Sequence, residues 1–411
     1  MAVAVTMQTL LTKESDGYTP SKQRSGIALC LSGGGYRAAL FHLGALRRLN
    51  ELRILSKVRT VSSVSGGSIV SALLASYIVQ SRSQGRDLSS AEFEAGIATP
   101  LRSITSRNIR NRPLLKRFAL PWNWFRRSTQ VDALQEQYHR HLTKLSLAQL
   151  PDQPKFVFCS TELSCGVNWV FEQHRVGQYW LGYTSPPVDW SIAKAVAASS
   201  CFPPLFDPMT LAISPDELSG GKLEAGTERA GLVNGIRLSD GGVYDNLGLE
   251  PVWESHEHVL VSDGGAPFRF KPSTTVIRQW KRYFGIASNQ VGALRKRWLV
   301  SNFEAKVLHG TYWGVGSAVS RYGSEFTEGY SKSLAANCIS RIRTDLNRFT
   351  IAEQSVLENH GYILADVAMR KHVPSLMPTE IAPLRIPHEN WSDEKDVSEA
   401  LRDSNRVRLS G

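Results

Sequence analysis

The chain has 411 residues, of which 42% are hydrophobic and 21% are charged. This composition excludes collagen, a coiled coil and global disorder, and the length suits two or three domains or one large α/β domain with insertions. The 48 lysines and arginines outnumber the 37 acids, which gives a net charge of +11. Such a charge favours anionic partners, namely phosphate-bearing lipids, nucleic acid or acidic ligands, without choosing among them.

The five cysteines are scattered and form no CxxC pair, so we expect reduced thiols in a cytosol-like compartment. Residues 1–25 are polar and irregular, which predicts a leader arm, and they lack the pattern of a signal peptide. No apolar stretch is long enough to span a bilayer. We therefore expect a cytoplasmic protein that meets a membrane, if at all, from its surface.

The first predicted elements alternate between strand and helix. Ile27–Leu31 is a short apolar run typical of a buried strand, and residues 39–52 repeat leucine and alanine at the steps of an amphipathic helix. Val58–Val64 predicts a second strand, and residues 69–79 predict an apolar helix. This order is that of a βαβ unit in a parallel sheet.

A serine lies in the turn between the second strand and the second helix, in Ser63-Val64-Ser65-Gly66-Gly67. A nucleophile elbow exposes a serine at such a turn and needs small residues two positions before and after it. Gly67 meets the second requirement, and Ser63 stands where the first asks for glycine. The residues allow either an elbow or a Ser/Gly-rich turn without chemistry.

Gly33, Gly34 and Gly35 lie between the first strand and the first helix. Their N–H groups stand at the positive end of a helix, where they could stabilise the oxyanion of acyl transfer. The alternative is a dinucleotide loop, because Gly33, Gly35 and Ala38 fit G-x-G-x-x-A. The ribose-binding acid would then be Glu51, which lies within the helix pattern instead of at the end of the next strand.

Two Asp-Gly-Gly sequences, beginning at Asp240 and Asp263, each follow an apolar run that predicts a strand. Either aspartate could accept the serine proton, and an Asp-Gly turn without chemistry is the alternative. Spacing does not rank the two aspartates. Four of the histidines after Asp240 are expected to be superficial or structural; they are His256, His258, His309 and His360.

Residues 101–130 contain eight basic residues, several aromatic ones and no acid. We predict that residues 81–150 form a basic helical cap and that Trp122, Trp124, Arg126 and Arg127 contact a membrane surface. Solvated arginines are the alternative. Residues 278–298 are a second basic and aromatic stretch, for which we consider membrane contact the weaker hypothesis.

Further along, residues 156–158 and 259–261 predict strands, and residues 192–198 predict a helix that ends before Pro203. Residues 208–235 lack periodicity, which predicts a surface loop. Residues 376–411 form a polar C-terminal tail whose last two dozen residues are expected to fray.

Together these segments resemble the patatin-like phospholipase family of bacterial type. The matching segments are residues 32–37, 63–68, 197–204 and 240–246. The likeness is good over about residues 26–265 and continues loosely to about 372. It implies an α/β fold over residues 26–375, with a mostly parallel central sheet flanked by helices and the basic cap inserted.

The resemblance implies a lipid acyl hydrolase of phospholipase A or lysophospholipase type, with a Ser–Asp dyad and no histidine, metal or cofactor. It maps Ser65 to the nucleophile, Asp240 to the base and Gly33, Gly34 and Gly35 to the oxyanion hole, and it gives Arg37 a positioning role. It also selects Asp240 over Asp263, because Val243-Tyr244-Asp245-Asn246 has the family's form.

The expected partners are a phospholipid or other ester lipid and a transient membrane surface, with no nucleic acid. A neutral-lipid esterase or an acyltransferase remains open within this class. Two other classes also remain open: a dinucleotide-binding protein that uses Gly33–Gly35 and Ala38, and a non-catalytic membrane-surface module.

Overall fold

The computed structural model describes residues 23–83, 88–111, 113, 129–268 and 276–406. Ten strands of this part form one sheet. They are β1 (Ile27–Leu31), β2 (Val58–Val64), β3 (Lys155–Glu162), β4 (Val167–Phe171), β5 (Val176–Gln178), β6 (Gly182–Thr184), β7 (Met209–Thr210), β8 (Arg237–Asp240), β9 (His258–Asp263) and β10 (His309–Gly314).

Twelve α-helical segments of the described chain surround this sheet. They are α1 (Gly35–Glu51), α2 (Gly66–Ser83), α3 (Ser90–Phe93), α4 (Thr99–Thr105), α5 (Thr129–His141), α6 (Ile192–Ser200), α7 (Thr227–Asn234), α8 (Gly242–Asp245), α9 (Val276–Glu304), α10 (Lys332–Asn337), α11 (Ile351–His372) and α12 (Glu394–Ala400). A π-helical turn, Glu94–Ala98, joins α3 to α4.

The centre of the sheet is parallel, in the order β10-β9-β1-β2-β3. The antiparallel strands β4, β5 and β6 extend it beyond β3. The short strands β8 and β7 join it antiparallel to β3 and to each other. The predicted α/β class, with a parallel central sheet flanked by helices, is confirmed.

The predicted βαβ unit is present as β1, α1, β2 and α2. All five residues of β1 are buried, as are six of the seven residues of β2, which is what a parallel strand covered on both faces requires. The sequence prediction for β2 agrees residue for residue. Because parallel strands end at one edge, the loops after β1 and β2 lie side by side.

Helix α1 packs against α11, whose residues Ala352–Met369 are all buried. The two helix backbones touch at glycines: a Cβ at Gly44 would lie 1.9 Å from the Glu358 carbonyl oxygen. A buried ion pair, Arg48 with Asp366 at 2.7 Å, joins the same two helices. This pair of helices holds the loop before α1 in a fixed position.

The described parts of the predicted cap are mostly helical, but their apolar side chains belong to the main core. Phe93, Ile97, Leu101 and Ile104 are all buried there. Trp122, Trp124, Arg126 and Arg127 lie outside the described residues.

Two arginines of the basic stretch are paired inside the protein: Arg102 contacts Glu358 at 2.6 Å, and Arg110 forms an ion pair with Asp345. These two arginines therefore do not have the membrane-facing role that composition suggested.

Two expectations about irregular segments need correction. Residues 208–235, expected to be a loop, contain the helix α7. The C-terminal tail does not fray within residues 376–406, because α12 buries Val397 and the following turn buries Leu401. No helix in the described ranges is long and apolar enough to cross a membrane.

Candidate active site

Ser65 occupies a strained turn between β2 and α2. Its φ of +50° lies in the left-handed region, which a non-glycine residue adopts at a cost and which is typical of functional turns. Two neighbours must be small, since a Cβ at Gly66 would lie 2.1 Å from the Gly35 carbonyl oxygen and one at Gly67 would lie 2.2 Å from that of Leu31. This is the geometry of a nucleophile elbow.

Ser63, which stands in place of the expected glycine, fits without displacing the turn. Its hydroxyl is buried, donates to the Val157 carbonyl at 3.4 Å and accepts from the Ser68 hydroxyl at 3.2 Å. A glycine at this position is therefore not needed in this chain.

Two strands converge on one point of β3: β2 ends directly before Ser65, and β8 ends at Asp240. In the register of β2 with β3, Val64 is opposite Cys159. In the register of β8 with β3, Asp240 is opposite Ser160, the next residue. β4 pairs with the other edge of β3 here, so β2 and β8 both pair with the same edge of β3. Their C-terminal ends therefore face each other. Ser65 and Asp240 are thus brought together across 175 residues of sequence.

Ser199, at the end of α6, bridges the two converging chains. Its hydroxyl accepts the Ser65 N–H at 2.9 Å and donates to the Cys159 carbonyl at 2.6 Å. Its carbonyl accepts the Gly241 N–H at 3.2 Å, directly after Asp240. One fully buried residue therefore fixes both the serine turn and the aspartate turn.

The glycine loop packs directly against Ser65. A Cβ at Gly33 would lie 3.2 Å from the Ser65 Cβ, and Gly34 and Gly35 both have positive φ. The Gly33 N–H donates to the Asn246 carbonyl at 3.0 Å. Within the described part of the chain, the N–H groups of Gly34 and Gly35 have no acceptor. Those two amides are available to an anion at the N-terminus of α1.

Close packing accounts for all three glycines of this loop. A Cβ at Gly34 would lie 2.7 Å from the Gly264 carbonyl oxygen, and one at Gly35 would lie 2.6 Å from that of Asp345. These contacts explain the glycines without a bound dinucleotide, the alternative that the sequence left open.

Arg37 is fully buried and supports the glycine loop from the interior of the fold. Its guanidinium donates to the Gly264 carbonyl at 2.8 and 3.0 Å and to the Ile342 carbonyl at 2.8 Å. The Gly264 carbonyl also lies against Gly34. Arg37 therefore joins the glycine loop to two distant backbone segments.

Burial raises the pKa of Asp240 to about 7, and the Gly242 N–H and the Ser65 hydroxyl oppose this increase by hydrogen bonding. The N–H of Gly242 donates to Oδ1 at 2.7 Å. The other oxygen, Oδ2, is buried and has no hydrogen-bond donor of good geometry among the described residues. A carboxylate kept basic beside a hydroxyl can accept the proton of that hydroxyl.

Asp263, the other candidate acid, is committed to different partners. Burial alone would raise its pKa, but the charge of Lys296 at 2.5 Å and hydrogen bonds from Lys296, Tyr312 and Gly265 outweigh burial and lower the pKa to about 2. Such an acid is a poor proton acceptor at neutral pH.

The histidines after Asp240 contact other groups. His256 hydrogen-bonds Thr60 and Val252, and His360 hydrogen-bonds the Val315 carbonyl. The His258 and His309 rings pack together with centroids 5.5 Å apart. Burial lowers the pKa of His360 to about 4, so this ring is neutral in the fold.

Sequence reasoning missed the bridging role of Ser199 and the close packing of Asn246. The Asn246 Oδ1 lies 2.4 and 2.7 Å from where a Cβ would stand at Gly33 and Gly242. Both residues were within matching segments, but each acts on residues that are distant in sequence. Only the order of strands in the sheet reveals those contacts.

Several solved structures resemble this chain weakly. Human GIVD cytosolic phospholipase A2 is 12% identical over 96% of this chain and 64% of its own, with a TM-score of 0.43. In its complex with methyl gamma-linolenyl fluorophosphonate and terbium chloride, the same human enzyme is 16% identical over 63% of this chain and 43% of its own, with a TM-score of 0.37. VipD from Legionella pneumophila is 14% identical over 85% of this chain and 67% of its own, with a TM-score of 0.33.

This chain thus spans between 43% and 67% of the length of those solved chains. No curated protein is significantly similar to it. Residues 29–253, more than half of the chain, match the patatin-like phospholipases, whose activity is lipid ester hydrolysis. The matched range contains the glycine loop, Ser65 and Asp240. The chain therefore belongs to the patatin-like phospholipase family.

Proposed function

We propose that this protein is a lipid acyl hydrolase that cleaves ester-linked fatty acids through a Ser65–Asp240 dyad. The observation that carries the proposal is the convergence of β2 and β8 on β3, which sets a strained serine beside a buried aspartate. The raised pKa of Asp240, about 7, suits a general base that works near neutral pH.

In the first half-reaction, the Ser65 Oγ attacks the ester carbonyl while Asp240 takes the hydroxyl proton. The tetrahedral intermediate collapses, Asp240 returns the proton to the departing alcohol, and an acyl-enzyme remains on Ser65. In the second half-reaction, Asp240 takes a proton from water, which attacks the acyl carbonyl. The fatty acid leaves and Ser65 regains its hydrogen.

The negative oxygen of each intermediate would lie against the Gly34 and Gly35 amides. Gly35 lies against Gly66, the residue after Ser65, and Gly34 and Gly35 are the N-cap and first residue of α1, whose dipole favours a negative charge. Gly33, the third predicted donor, would support the loop through its bond to Asn246 instead. Arg37 would hold the same loop in place from inside the fold.

Phospholipids are the proposed substrate class. Family membership supports lipid esters in general, and the net charge of +11 favours substrates that carry a phosphate. A membrane surface would present such substrates, and a nucleic-acid role has no supporting motif.

A fluorophosphonate probe tests the nucleophile directly, because it forms a covalent bond only with an activated serine. We expect labelling of the peptide that contains Ser65, and loss of both labelling and fatty acid release in Ser65→Ala. Ser63→Ala, two residues earlier in β2, is the matched control and should retain both signals. Normal turnover in folded Ser65→Ala protein would reject the proposal.

A further inference from the structure

Helix α9 exposes a continuous apolar stripe to solvent. Its members are Tyr283, Phe284, Val291, Leu294 and Trp298, and the exposed fraction reaches 60% at Tyr283 and 57% at Leu294. At 100° per residue they fall within an arc of about 100° along some 22 Å of helix. We refer to these five residues as the α9 apolar face. A monomeric protein rarely exposes such a surface without a partner.

The charge of the same helix is strongly positive. Its sequence contains six basic residues and one acid, Glu304. Two of the basic residues point into the fold: Lys296 pairs with Asp263 at 2.5 Å, and Arg295 pairs with Glu250 at 3.1 Å. Arg297 is exposed next to Trp298, at the edge of the apolar face.

The α9 apolar face also adjoins the proposed active site. The Phe284 ring packs edge-on against Phe202 with centroids 6.3 Å apart. Phe202 is exposed and follows Cys201, whose carbonyl accepts the Asp240 N–H at 3.4 Å. The other end of α9 is held to the edge of the sheet by Lys296 and Asp263. A partner on this face would therefore lie beside the catalytic dyad.

We propose that the α9 apolar face is the surface by which this protein docks on a lipid bilayer with anionic headgroups. Aromatic and aliphatic side chains beside arginine suit the boundary between headgroups and acyl chains. A second copy of the chain is a poorer fit, because it would bring another strongly positive helix against this one. The inference rests on the proposed function, since docking here would present ester lipids to Ser65.

The test compares Val291→Asp with Val300→Asp. The two valines lie on the same helix, are 40% and 41% exposed, and are nine residues apart, which places them on opposite sides of α9. Binding to vesicles of phosphatidylcholine with phosphatidylglycerol is measured by sedimentation, in the Ser65→Ala background so that no lipid is consumed. We expect Val291→Asp to weaken binding at least about tenfold and Val300→Asp by less than about twofold.

Equal binding by both variants, or unchanged binding by Val291→Asp, would overturn the inference. So would a change in molar mass by light scattering in Val291→Asp alone, because it would show that a second copy covers the face. With Ser65 intact, hydrolysis of a water-soluble short-chain ester should be the same in both variants. If the chain without any substitution does not hydrolyse this ester, that result counts against the proposed function. The vesicle-binding result is then interpreted separately.

Discussion

Asp240 and Asp263 are two copies of one local arrangement. Each ends a strand, each precedes two glycines, and each is buried. In each, Oδ1 accepts the N–H of the second glycine, at 2.7 Å for Asp240 and 2.8 Å for Asp263. Their pKa values nevertheless move in opposite directions, to about 7 and about 2.

The difference comes from elements that are distant in sequence. Asp263 receives the ammonium of Lys296 from α9 and the hydroxyl of Tyr312 from β10. Asp240 receives no cation from the described chain at ion-pair distance, and its neighbour is the Ser65 hydroxyl. The local motif sets the geometry of the carboxylate, and the partners across the sheet decide whether it can accept a proton at neutral pH.

The largest expected effect separates the two aspartates by activity. Asp240→Asn should lower kcat for ester hydrolysis about 10³-fold, since the general base is lost. Asp263→Asn keeps the shape of its turn, and its kcat should stay within about tenfold of that of the unaltered enzyme. Steady-state kinetics on a water-soluble ester measures both. The opposite ranking would mean that Asp263 is the base.

The same two variants should change stability with opposite signs. A folded pKa of about 7 means that Asp240 stabilises the fold when protonated, and that this stability is lost as pH rises through about 7. The buried charge then costs roughly 4 kcal/mol at pH 8, so Asp240→Asn should raise the free energy of unfolding by up to that amount. At pH 5 the increase in the free energy of unfolding caused by Asp240→Asn should be less than half of its value at pH 8.

Asp263 has the reverse linkage. Its folded pKa of about 2 gives stability that is present above the ordinary aspartate pKa and is lost as pH falls through about 2. Asp263→Asn should therefore lower the free energy of unfolding at pH 8 by roughly 2 kcal/mol. Urea denaturation at pH 8 and pH 5 measures both variants, and changes of the same sign would contradict the electrostatic contrast.

Local pattern predicted the parts of the fold that local forces specify. β1, β2, α1 and α2 follow from short apolar runs and helical periodicity, and the position of Ser65 follows from their order. Helix α11 was not predicted, because it is buried on every side and so has no polar face to mark its period. Whether the C-terminal tail folds depends on its contacts with the core, and the tail's own residues do not reveal those contacts.

The site was predictable in its residue types and less so in its electrostatics. Spacing could not rank Asp240 against Asp263, because Lys296 and Tyr312 reach Asp263 from elements that follow it. Composition likewise could not show that Arg102 and Arg110 pair with acids more than 230 residues away. Those partners become visible only once strand order and helix packing are known.

The pH dependence of activity sharpens the contrast further. If Asp240 is the base, kcat/KM for a soluble ester should rise with pH to a plateau with a midpoint near 7, and fall about tenfold per pH unit below it. Asp263→Asn should leave this midpoint in place. A midpoint near 4 would mean that the Asp240 carboxyl behaves as an ordinary one.

The smallest expected effect concerns Ser199, which positions Ser65 beside Asp240. In Ser199→Ala the Ser65 N–H and the Cys159 carbonyl lose their partner, which should lower kcat roughly tenfold with little change in KM. The lost bonds should also cost about 1–2 kcal/mol of stability.

Ser200→Ala is the matched control for this prediction. Ser200 is the next residue of α6, is also buried, and bonds the Val196 carbonyl and the Tyr138 hydroxyl. It should lose similar stability while kcat stays within about twofold, because its bonds do not reach Ser65. Equal losses of kcat in the two variants would show that Ser199 supports the fold in general and does not align the serine with its base.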